Sequence, residues 1–238
     1  MSTINNLVLA FDLYGTLLST ESIAQKLASH FPAKAQSMSN SWRRYQLEYT
    51  WRLNSMKLYE PFSSVTRNAL LHALAEHDES LGNDAIDALM KAYDSLSVFP
   101  DVNSTLAELS KIPTVTPVVF SNGTQSMISN SVHRSPDLSP HASVFADIVT
   151  VDDVKQFKPA PETYYHLLQK TGKSSEQSSD IWLVSGNPFD IIGARSVGFN
   201  AIWVDRNGRG WIDGAMPSLR PTAVVNSLEE ILSVVKKT

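Results

Sequence analysis

The 238 residues of the chain suffice for one α/β domain, or for one domain carrying an insertion, and they include 20 basic and 24 acidic side chains. Because these charges are mixed along the chain and sum to only −4, nucleic acid and anionic membrane surfaces are not expected as partners. The absence of cysteine excludes disulfides, thiolate metal sites and a cysteine nucleophile, and fits a reducing compartment. The opening MSTINN has no basic flank and no apolar run is long enough for a membrane span, so we expect a cytoplasmic protein.

The first predicted element is a strand within residues 7–16, LVLAFDLYGT, where five apolar residues lead into Asp12 and a turn follows at Gly15. An uninterrupted apolar run that ends at a turn is typical of a strand buried on both faces, as in the centre of a parallel sheet. Proteins of the α/β class place their reactive groups at the carboxyl ends of such strands. Asp12 is therefore a candidate reactive carboxylate, and the alternative is that it only caps a helix starting after Thr16.

Residues 21–97 are predicted to be helical, because Ala, Leu, Met, Gln and Glu are frequent there. An aromatic packing stripe recurs at spacings of three and four along the first long helix: Trp42, Tyr45, Tyr49, Leu53 and Met56. A mixed polar face adjoins that stripe: Arg43, Gln46, Leu47 and Thr50. Two more amphipathic helices are predicted at 63–77 and about 84–95. We expect a helical cap domain over residues 21–97, inserted into a core domain made of residues 1–20 and 98–238.

An alternation of strands and helices follows this helical segment. Short apolar strands are predicted at 115–120, 147–151, 181–184, 201–204 and 223–226, with helices that include 162–171, 190–197 and 228–236. This order predicts right-handed crossovers and a parallel sheet, that is, an α/β fold with a Rossmann-like core. Small polar or charged residues follow the strands, so their ends are expected to converge on one rim below the helical cap.

Four groups of reactive or polar residues lie along this rim in chain order: Asp12 with Thr16, Ser121 with Asn122, Lys158, and Ser185 with Asn187 and Asp190. Their order and setting resemble the haloacid dehalogenase superfamily. In that superfamily the first-strand Asp is a nucleophile, a second-strand Ser or Thr and a distant Lys hold anionic oxygen, and an acidic cluster follows the fourth strand. The resemblance extends over essentially the whole chain.

Tyr14 distinguishes between the reaction classes of this superfamily. Its phosphatases have a second Asp two residues after the nucleophile, because phosphoryl transfer needs an acid to protonate the leaving oxygen. They also bind Mg²⁺ through an Asp at the position of Asn187, and a neutral amide is a poorer ligand for this cation. Both departures favour chemistry without a metal or other cofactor.

The segments FDLYGT, WRRYQLEYTW, FSNG, FKPAPETYY and VSGNPFD together resemble the type II 2-haloacid dehalogenases. The resemblance implies that Asp12 attacks the halogen-bearing carbon of a short 2-haloalkanoic acid and displaces halide with inversion. Hydrolysis of the resulting aspartyl ester would release the 2-hydroxy acid. It also implies a homodimer, to which the aromatic stripe is expected to contribute.

The same resemblance assigns roles to the rim residues. Arg43 would receive the departing halide with the help of Asn122, and Ser121 would hold the substrate carboxylate together with main-chain N–H groups near Tyr14. Lys158 would keep the nucleophile ionised. The plainer alternatives are an exposed helix arginine for Arg43 and a surface lysine for Lys158.

The remaining matches support or enclose the nucleophile. Thr16 would contact the Asp12 carboxylate, Tyr164 and Ser185 would support Lys158 and the nucleophile, and Asp190 would orient or activate the hydrolytic water beside Asn187. Asp190 could instead cap the helix that follows it. The apolar walls would be Tyr14, Leu47, Phe62 and Phe189. The best-known pattern has Trp in place of Phe189 and Ser in place of Gly186, and Phe lacks the indole N–H that could donate to halide.

Two other functions remain open from the residues: a phosphatase of the same superfamily acting on a small phosphoester, and a catalytically idle relative that binds a small ligand. Tyr14 and Asn187 disfavour the first. The presence of Asp12, Lys158 and Asp190 disfavours the second.

Overall fold

A six-stranded parallel sheet forms the centre of the molecule in the computed structural model, which describes residues 7–236. The opening MSTINN segment lies outside the described residues. The strands are β1 (Leu7–Phe11), β2 (Val115–Ser121), β3 (Asp147–Thr150), β4 (Ile181–Ser185), β5 (Asn200–Val204) and β6 (Ala223–Val225). Their order across the sheet is β3-β2-β1-β4-β5-β6, and every neighbouring pair is parallel. The predicted α/β fold with a Rossmann-like core is confirmed.

Nine α-helices are assigned within residues 7–236. They are α1 (Glu21–Ala28), α2 (Ala35–Met56), α3 (Phe62–Glu76), α4 (Asn83–Tyr93), α5 (Val102–Leu109), α6 (Gln125–Arg134), α7 (Pro161–Lys170), α8 (Pro188–Ser196) and α9 (Ile231–Val235). Five of them, α1–α5, lie between β1 and β2. The helices α6, α7 and α8 each connect two successive strands, β5 is followed by β6 without an α-helix between them, and α9 follows β6. None of the helices in this part of the chain has the length and hydropathy needed to cross a bilayer.

The strand β1 lies at the point where the strand order reverses, with β2 on one side and β4 on the other. Its residues Leu9, Ala10 and Phe11 are completely buried, as expected for an apolar strand covered on both faces. In open α/β sheets a crevice forms outside the carboxyl ends of the strands at such a reversal. The fold therefore places Asp12, the residue after β1, at the mouth of this crevice.

No helix begins directly after Thr16. Gly15 has a φ of +85°, which a residue without Cβ adopts easily, and its N–H donates to the carbonyl of Leu18 in a turn. Leu18 then forms an isolated bridge with Val98, and α1 begins only at Glu21. Asp12 is thus too far from α1 to cap it.

Candidate active site

The Asp12 carboxylate is buried and accepts hydrogen bonds from four side chains. Its Oδ1 accepts from Lys158 Nζ at 2.9 Å. Its Oδ2 accepts from Thr16 Oγ1 at 2.7 Å, from Asn187 Nδ2 at 2.7 Å and from Ser185 Oγ at 3.3 Å. The donors come from the turn after β1, the loop before α7 and the end of β4. The alternative in which Asp12 serves only as a helix cap is wrong, because its carboxylate is the centre of this cluster.

Lys158 is a buried lysine, only 1% exposed, and not a surface residue. Besides Asp12, its ammonium donates to Asp190 Oδ2 at 2.6 Å and to the carbonyl oxygen of Phe120 at 3.1 Å. Burial by itself would lower the pKa of Lys158, but the charges of Asp12 and Asp190 raise it above its ordinary value. The site therefore holds a permanent cation against the Asp12 carboxylate.

Asp190 lies in the first turn of α8, and its side chain points to the cluster. Oδ2 pairs with Lys158, and Oδ1 accepts from the Tyr164 hydroxyl at 2.7 Å. Burial and then the charge of Asp12 raise the pKa of Asp190, although the neighbouring ammonium opposes them. Burial and the charge of Asp190 raise the pKa of Tyr164, so Tyr164 remains a neutral donor. The capping alternative for Asp190 is wrong, because both carboxylate oxygens are used by Lys158 and Tyr164.

Gly193 makes room for Tyr164 and was not singled out from the sequence. A Cβ at this position would lie against the Tyr164 hydroxyl, closer than any real Cβ contact. Gly193 lies within α8. Glycine has a low helix propensity, so a glycine inside a helix often indicates that a side chain would not fit there. A glycine inside the predicted helix 190–197 was therefore the sequence feature that could have indicated this close packing.

Arg43 projects from α2 towards the Asp12 cluster. Its Nη2 lies 3.4 Å from both the carbonyl oxygen of Tyr14 and Asn187 Oδ1. Its Nη1 donates to Gln46 Oε1 at 2.6 Å. The neighbouring Arg44 instead forms an exposed ion pair with Glu76. Of the two adjacent arginines, Arg43 is the one that faces the cluster.

Gln46 is a fully buried polar residue that the sequence placed on the Arg43 face of α2 without a role. Its Oε1 accepts from the Tyr93 hydroxyl at 2.9 Å as well as from Arg43, and its Nε2 donates to Thr66 Oγ1 at 2.7 Å. The side-chain amide thus connects the guanidinium to α3 and α4. The one sequence feature that could have indicated this contact is the spacing of three residues between Arg43 and Gln46, because residues three apart on a helix are neighbours.

Ser121 and Asn122 lie at the end of β2, beside Lys158. Asn122 Oδ1 accepts from the main-chain N–H of Lys158 at 2.9 Å, and its NH₂ group, which can only donate, has no hydrogen-bond acceptor among residues 7–236. Ser121 is completely buried, and its Oγ accepts from the N–H of Gly123 at 3.2 Å. Both residues therefore adjoin the cluster, and each has one polar atom engaged within the protein.

Comparison with known proteins shows the family. A sequence model of haloacid dehalogenase-like hydrolases matches residues 7–198. The chain is 32% identical to (S)-2-haloacid dehalogenase 4A of Burkholderia cepacia over 83% of this chain and 82% of that protein. It is also 32% identical to an (S)-2-haloacid dehalogenase of Pseudomonas fluorescens, over 93% and 92% of the two chains. The chain belongs to the haloacid dehalogenase-like hydrolases.

Within this family the resemblance to the L-2-haloacid dehalogenases extends to the three-dimensional structure. The crystal structure of the L-2-haloacid dehalogenase from Xanthobacter autotrophicus with covalently bound chloropropionic acid has a TM-score of 0.85 to this chain. The two are 26% identical, and the match covers 96% of this chain and 98% of that one. The predicted membership of the 2-haloacid dehalogenase subfamily is confirmed.

In this haloacid dehalogenase-like hydrolase, the predicted wall residues lie on α2, on α3, in the first turn of α8 and in the turn after β1. Tyr14 is buried and stacks on Phe62 with ring centroids 5.7 Å apart. Phe189 is half-buried and meets Trp51 edge to face at 5.6 Å. Leu47 is half-buried one turn beyond Arg43 on α2. The contact between Trp51 and Phe189 was not predicted from the sequence.

The presence of glycine at position 186 is explained by the space around it. A Cβ at this position would lie 2.5 Å from the carbonyl oxygen of Gly15, so the loop after β4 approaches the turn after β1 more closely than a side chain allows. The Gly186 N–H donates to Thr16 Oγ1 at 2.9 Å, and Thr16 in turn donates to Asp12. The close approach therefore connects Gly186 to the hydrogen bonding of the carboxylate.

Proposed function

We propose that this chain is a hydrolytic 2-haloacid dehalogenase that converts a short 2-haloalkanoic acid into the 2-hydroxy acid of inverted configuration and halide. The observation that carries the proposal is the buried Asp12 carboxylate paired with Lys158, with Tyr14 two residues after the nucleophile. The names of the relatives and the covalently bound chloropropionic acid of the Xanthobacter enzyme support it. The proposed site needs no metal or other cofactor.

In the first step Asp12 attacks the carbon that carries the halogen, the carbon–halogen bond breaks, and halide leaves with the bonding electron pair. Oδ2 accepts three hydrogen bonds and Oδ1 only one, so Oδ1 keeps the more available lone pair for the attack. Inversion follows because the nucleophile and the halide occupy opposite sides of the carbon. Holding an anionic nucleophile in line can contribute on the order of 7 to 11 kcal/mol to barrier reduction.

The substrate's two negative ends need separate donors. Arg43 approaches the cluster from α2 and is proposed to receive the halide together with the Asn122 amide, since a guanidinium offers several donors. Ser121 and main-chain N–H groups near Tyr14 are proposed to hold the carboxylate. The half-buried Leu47 and Phe189 and the buried Phe62 are proposed to enclose the alkyl group.

In the second step water attacks the carbonyl carbon of the Asp12 ester, which restores the carboxylate and releases the 2-hydroxy acid and a proton. Asp190 is proposed to orient or activate this water beside Asn187, because the Lys158 ammonium bridges its carboxylate to that of Asp12. Tyr164 and Lys158 hold Asp190 in place. Thr16 and Ser185 are proposed to hold the carboxylate in both steps.

Three further properties belong to this proposal. The chain is proposed to divide into a cap domain, residues 21–97, and a core domain, residues 1–20 and 98–238, which agrees with the position of α1–α4 between β1 and β2. A homodimer is proposed, supported by the exposed apolar side chains of Trp51, Met56 and Leu71 on α2 and α3. A cytoplasmic location is proposed on the cysteine-free composition.

The test is halide release from each enantiomer of 2-chloropropionate, with and without EDTA. We expect chloride release from one enantiomer, formation of lactate of inverted configuration and no effect of EDTA. Asp12→Asn should reduce the rate below detection, because the amide oxygen is a poor nucleophile. Mg²⁺-dependent phosphate release from a generic phosphoester would replace the proposal with a phosphatase, and inactivity in both assays would favour the ligand-binding relative.

A further inference from the structure

Asn54 connects the helix that carries Arg43 to the loop that carries Lys158. Its Nδ2 donates to the carbonyl oxygen of Phe157 at 2.6 Å, and its Oδ1 accepts from the N–H of the same residue at 2.9 Å. One side-chain amide thus satisfies both main-chain polar groups of a residue 103 positions away. Because both bonds form together, they restrain the position and the rotation of the Phe157 peptide units.

The peptide that follows is held by a second asparagine, Asn122. The N–H of Lys158 donates to Asn122 Oδ1 at 2.9 Å, so the segment 157–158 lies between one asparagine from α2 and one from the end of β2. The Phe157 ring is buried and stacks on Tyr59 with centroids 5.1 Å apart. Contacts that do not involve the Lys158 side chain therefore fix the position of the Lys158 main chain.

Asn54 and Arg43 lie on one face of α2. They are eleven residues apart, which is close to three turns and about 16 Å along the axis. The same rigid helix therefore carries the guanidinium that faces Asp12 at one position and holds the Lys158 loop at the other. No role was predicted for Asn54 from the sequence.

We propose that Asn54 is a positioning residue for the dehalogenation reaction, which sets the Lys158 ammonium against the Asp12 carboxylate through its two hydrogen bonds to Phe157. This inference rests on the proposed function. Lys158 meets Asp12 at 2.9 Å and Asp190 at 2.6 Å, and a displaced ammonium cannot keep both contacts. Asn54 itself touches no reacting atom, so its effect is on the rate of the chemical steps and not on substrate binding.

Asn54→Ala tests this role, with Ser55→Ala as the matched control. We expect Asn54→Ala to lower kcat about ten- to hundredfold, since small misplacements at a reacting centre have effects of this size. Asn54→Asp keeps the acceptor for the Phe157 N–H and loses the donor, so its kcat should be intermediate. Ser55 is exposed and forms no side-chain hydrogen bond within the part of the chain that the structure describes, so Ser55→Ala should retain wild-type kcat.

Substrate binding separates positioning from a general loosening of α2. In an Asp12→Asn background, which cannot turn over, adding Asn54→Ala should leave the calorimetric affinity for 2-chloropropionate within about twofold. A general displacement of α2 would move Arg43 as well and weaken binding, and that result would overturn the proposal. A folded Asn54→Ala enzyme with wild-type kcat would also overturn the proposal.

A crystal structure of the Asn54→Ala variant provides a readout that does not depend on activity. We expect the distance from Lys158 Nζ to Asp12 Oδ1 to increase from 2.9 Å. An unchanged distance would overturn the positioning role. A wild-type chain that releases no halide would overturn the proposed function instead, and the structure of the variant would still decide the role of Asn54.

Discussion

Gln46 is the buried side chain that fixes the orientation of the Arg43 guanidinium. Its two amide atoms join Arg43, Tyr93 and Thr66, and none of these three lies next to it in the chain. A residue that satisfies several buried partners is costly to remove, because each partner loses a hydrogen bond away from water. The direction of Arg43 towards Asp12 therefore depends on a residue with no proposed contact to substrate.

We expect Gln46→Ala to lower kcat/KM for 2-chloropropionate about tenfold and to weaken product inhibition by chloride. The Arg43 guanidinium would lose its shortest hydrogen bond, at 2.6 Å, and keep only the two contacts at 3.4 Å. Steady-state kinetics with added chloride measures both effects. Arg44→Ala is the control, since Arg44 pairs with Glu76 and lies over the Tyr45 ring away from the Asp12 cluster, and it should leave both values unchanged. Unaltered chloride inhibition in Gln46→Ala would contradict this account of Arg43.

Residue by residue, the groups that surround Asp12 were largely accessible from the sequence. Asp12 follows a predicted strand and Asp190 opens a predicted helix, so their convergence could be expected from a parallel sheet. Lys158 lies in the loop between the predicted strand 147–151 and the predicted helix 162–171, and the resemblance to the family indicated its place in the cluster. Their catalytic roles stay predictions. Gln46 and Asn54 were not accessible, because a buried or half-buried amide on a polar helix face looks the same in sequence as a solvated one.

At the scale of elements, the loop between β4 and α8 meets the turn between β1 and α1. Gly186 allows this contact, since a Cβ there would lie 2.5 Å from the Gly15 carbonyl oxygen. The loop also carries Asn187, whose Nδ2 donates to Asp12 and to the carbonyl oxygen of Tyr14. The two segments therefore cannot move apart without disturbing the carboxylate.

We expect Gly186→Ser, which introduces the residue of the best-known subfamily pattern, to lower the free energy of unfolding by about 1–3 kcal/mol, because backbone must shift to admit the side chain. The displaced Asn187 should also reduce kcat. Urea unfolding and steady-state kinetics measure the two effects. Gly214→Ser is the control, because a Cβ there meets nothing within 4 Å, and it should be neutral. A Gly186→Ser variant as stable as the control would contradict the steric argument.

At the scale of the whole molecule, Asp101 joins segments that lie far apart in the chain. Its carboxylate accepts from Arg206 Nε at 3.0 Å and Nη2 at 2.9 Å, and from the N–H of Leu228 at 2.9 Å. Arg206 also donates to the carbonyl oxygen of Thr16 at 2.9 Å. The start of α5, the loop after β5, the C-terminal segment and the turn after β1 therefore meet at one ion pair.

This ion pair predicts how stability depends on pH. Burial by itself would raise the pKa of Asp101, but Arg206 and the Leu228 N–H lower it below 3.8, its ordinary value. A pKa that is lower in the folded state adds stability that is complete above the unfolded value and is lost as pH falls through the folded value. The contribution should therefore be present at pH 7 and disappear only in acid below about pH 4.

We expect Asp101→Asn to lower the free energy of unfolding by about 1–3 kcal/mol at pH 7, and the difference from wild type to shrink below about pH 4. Urea titrations at both pH values measure this. Glu108→Gln, in the helix that follows Asp101, is the control, because the pair of Glu108 with Lys111 is exposed to solvent. A difference for Asp101→Asn that stays constant from pH 7 to pH 3 would show that the carboxylate charge is not responsible.

The class of fold and the candidate nucleophile can be predicted from residue order along the chain, and the family can be predicted from the resemblance that its motifs carry. Apolar runs followed by turns define buried parallel strands, the carboxyl ends of such strands share one rim, and Tyr14 distinguishes the 2-haloacid dehalogenases from the phosphatases. These features depend on local order along the chain. They can therefore be recognised without knowing which distant residues meet.

The side chains that hold the proposed site in position can be identified only from the packing of the folded chain. Asn54 meets Phe157 across 103 residues, Gly186 meets Gly15, and Gly193 makes room for Tyr164. Each is a contact between surfaces that pack together only after the sheet and helices have formed, and its energy depends on distances of a few tenths of an ångström. Residue order carries no direct record of such distances, because packing between remote segments sets them.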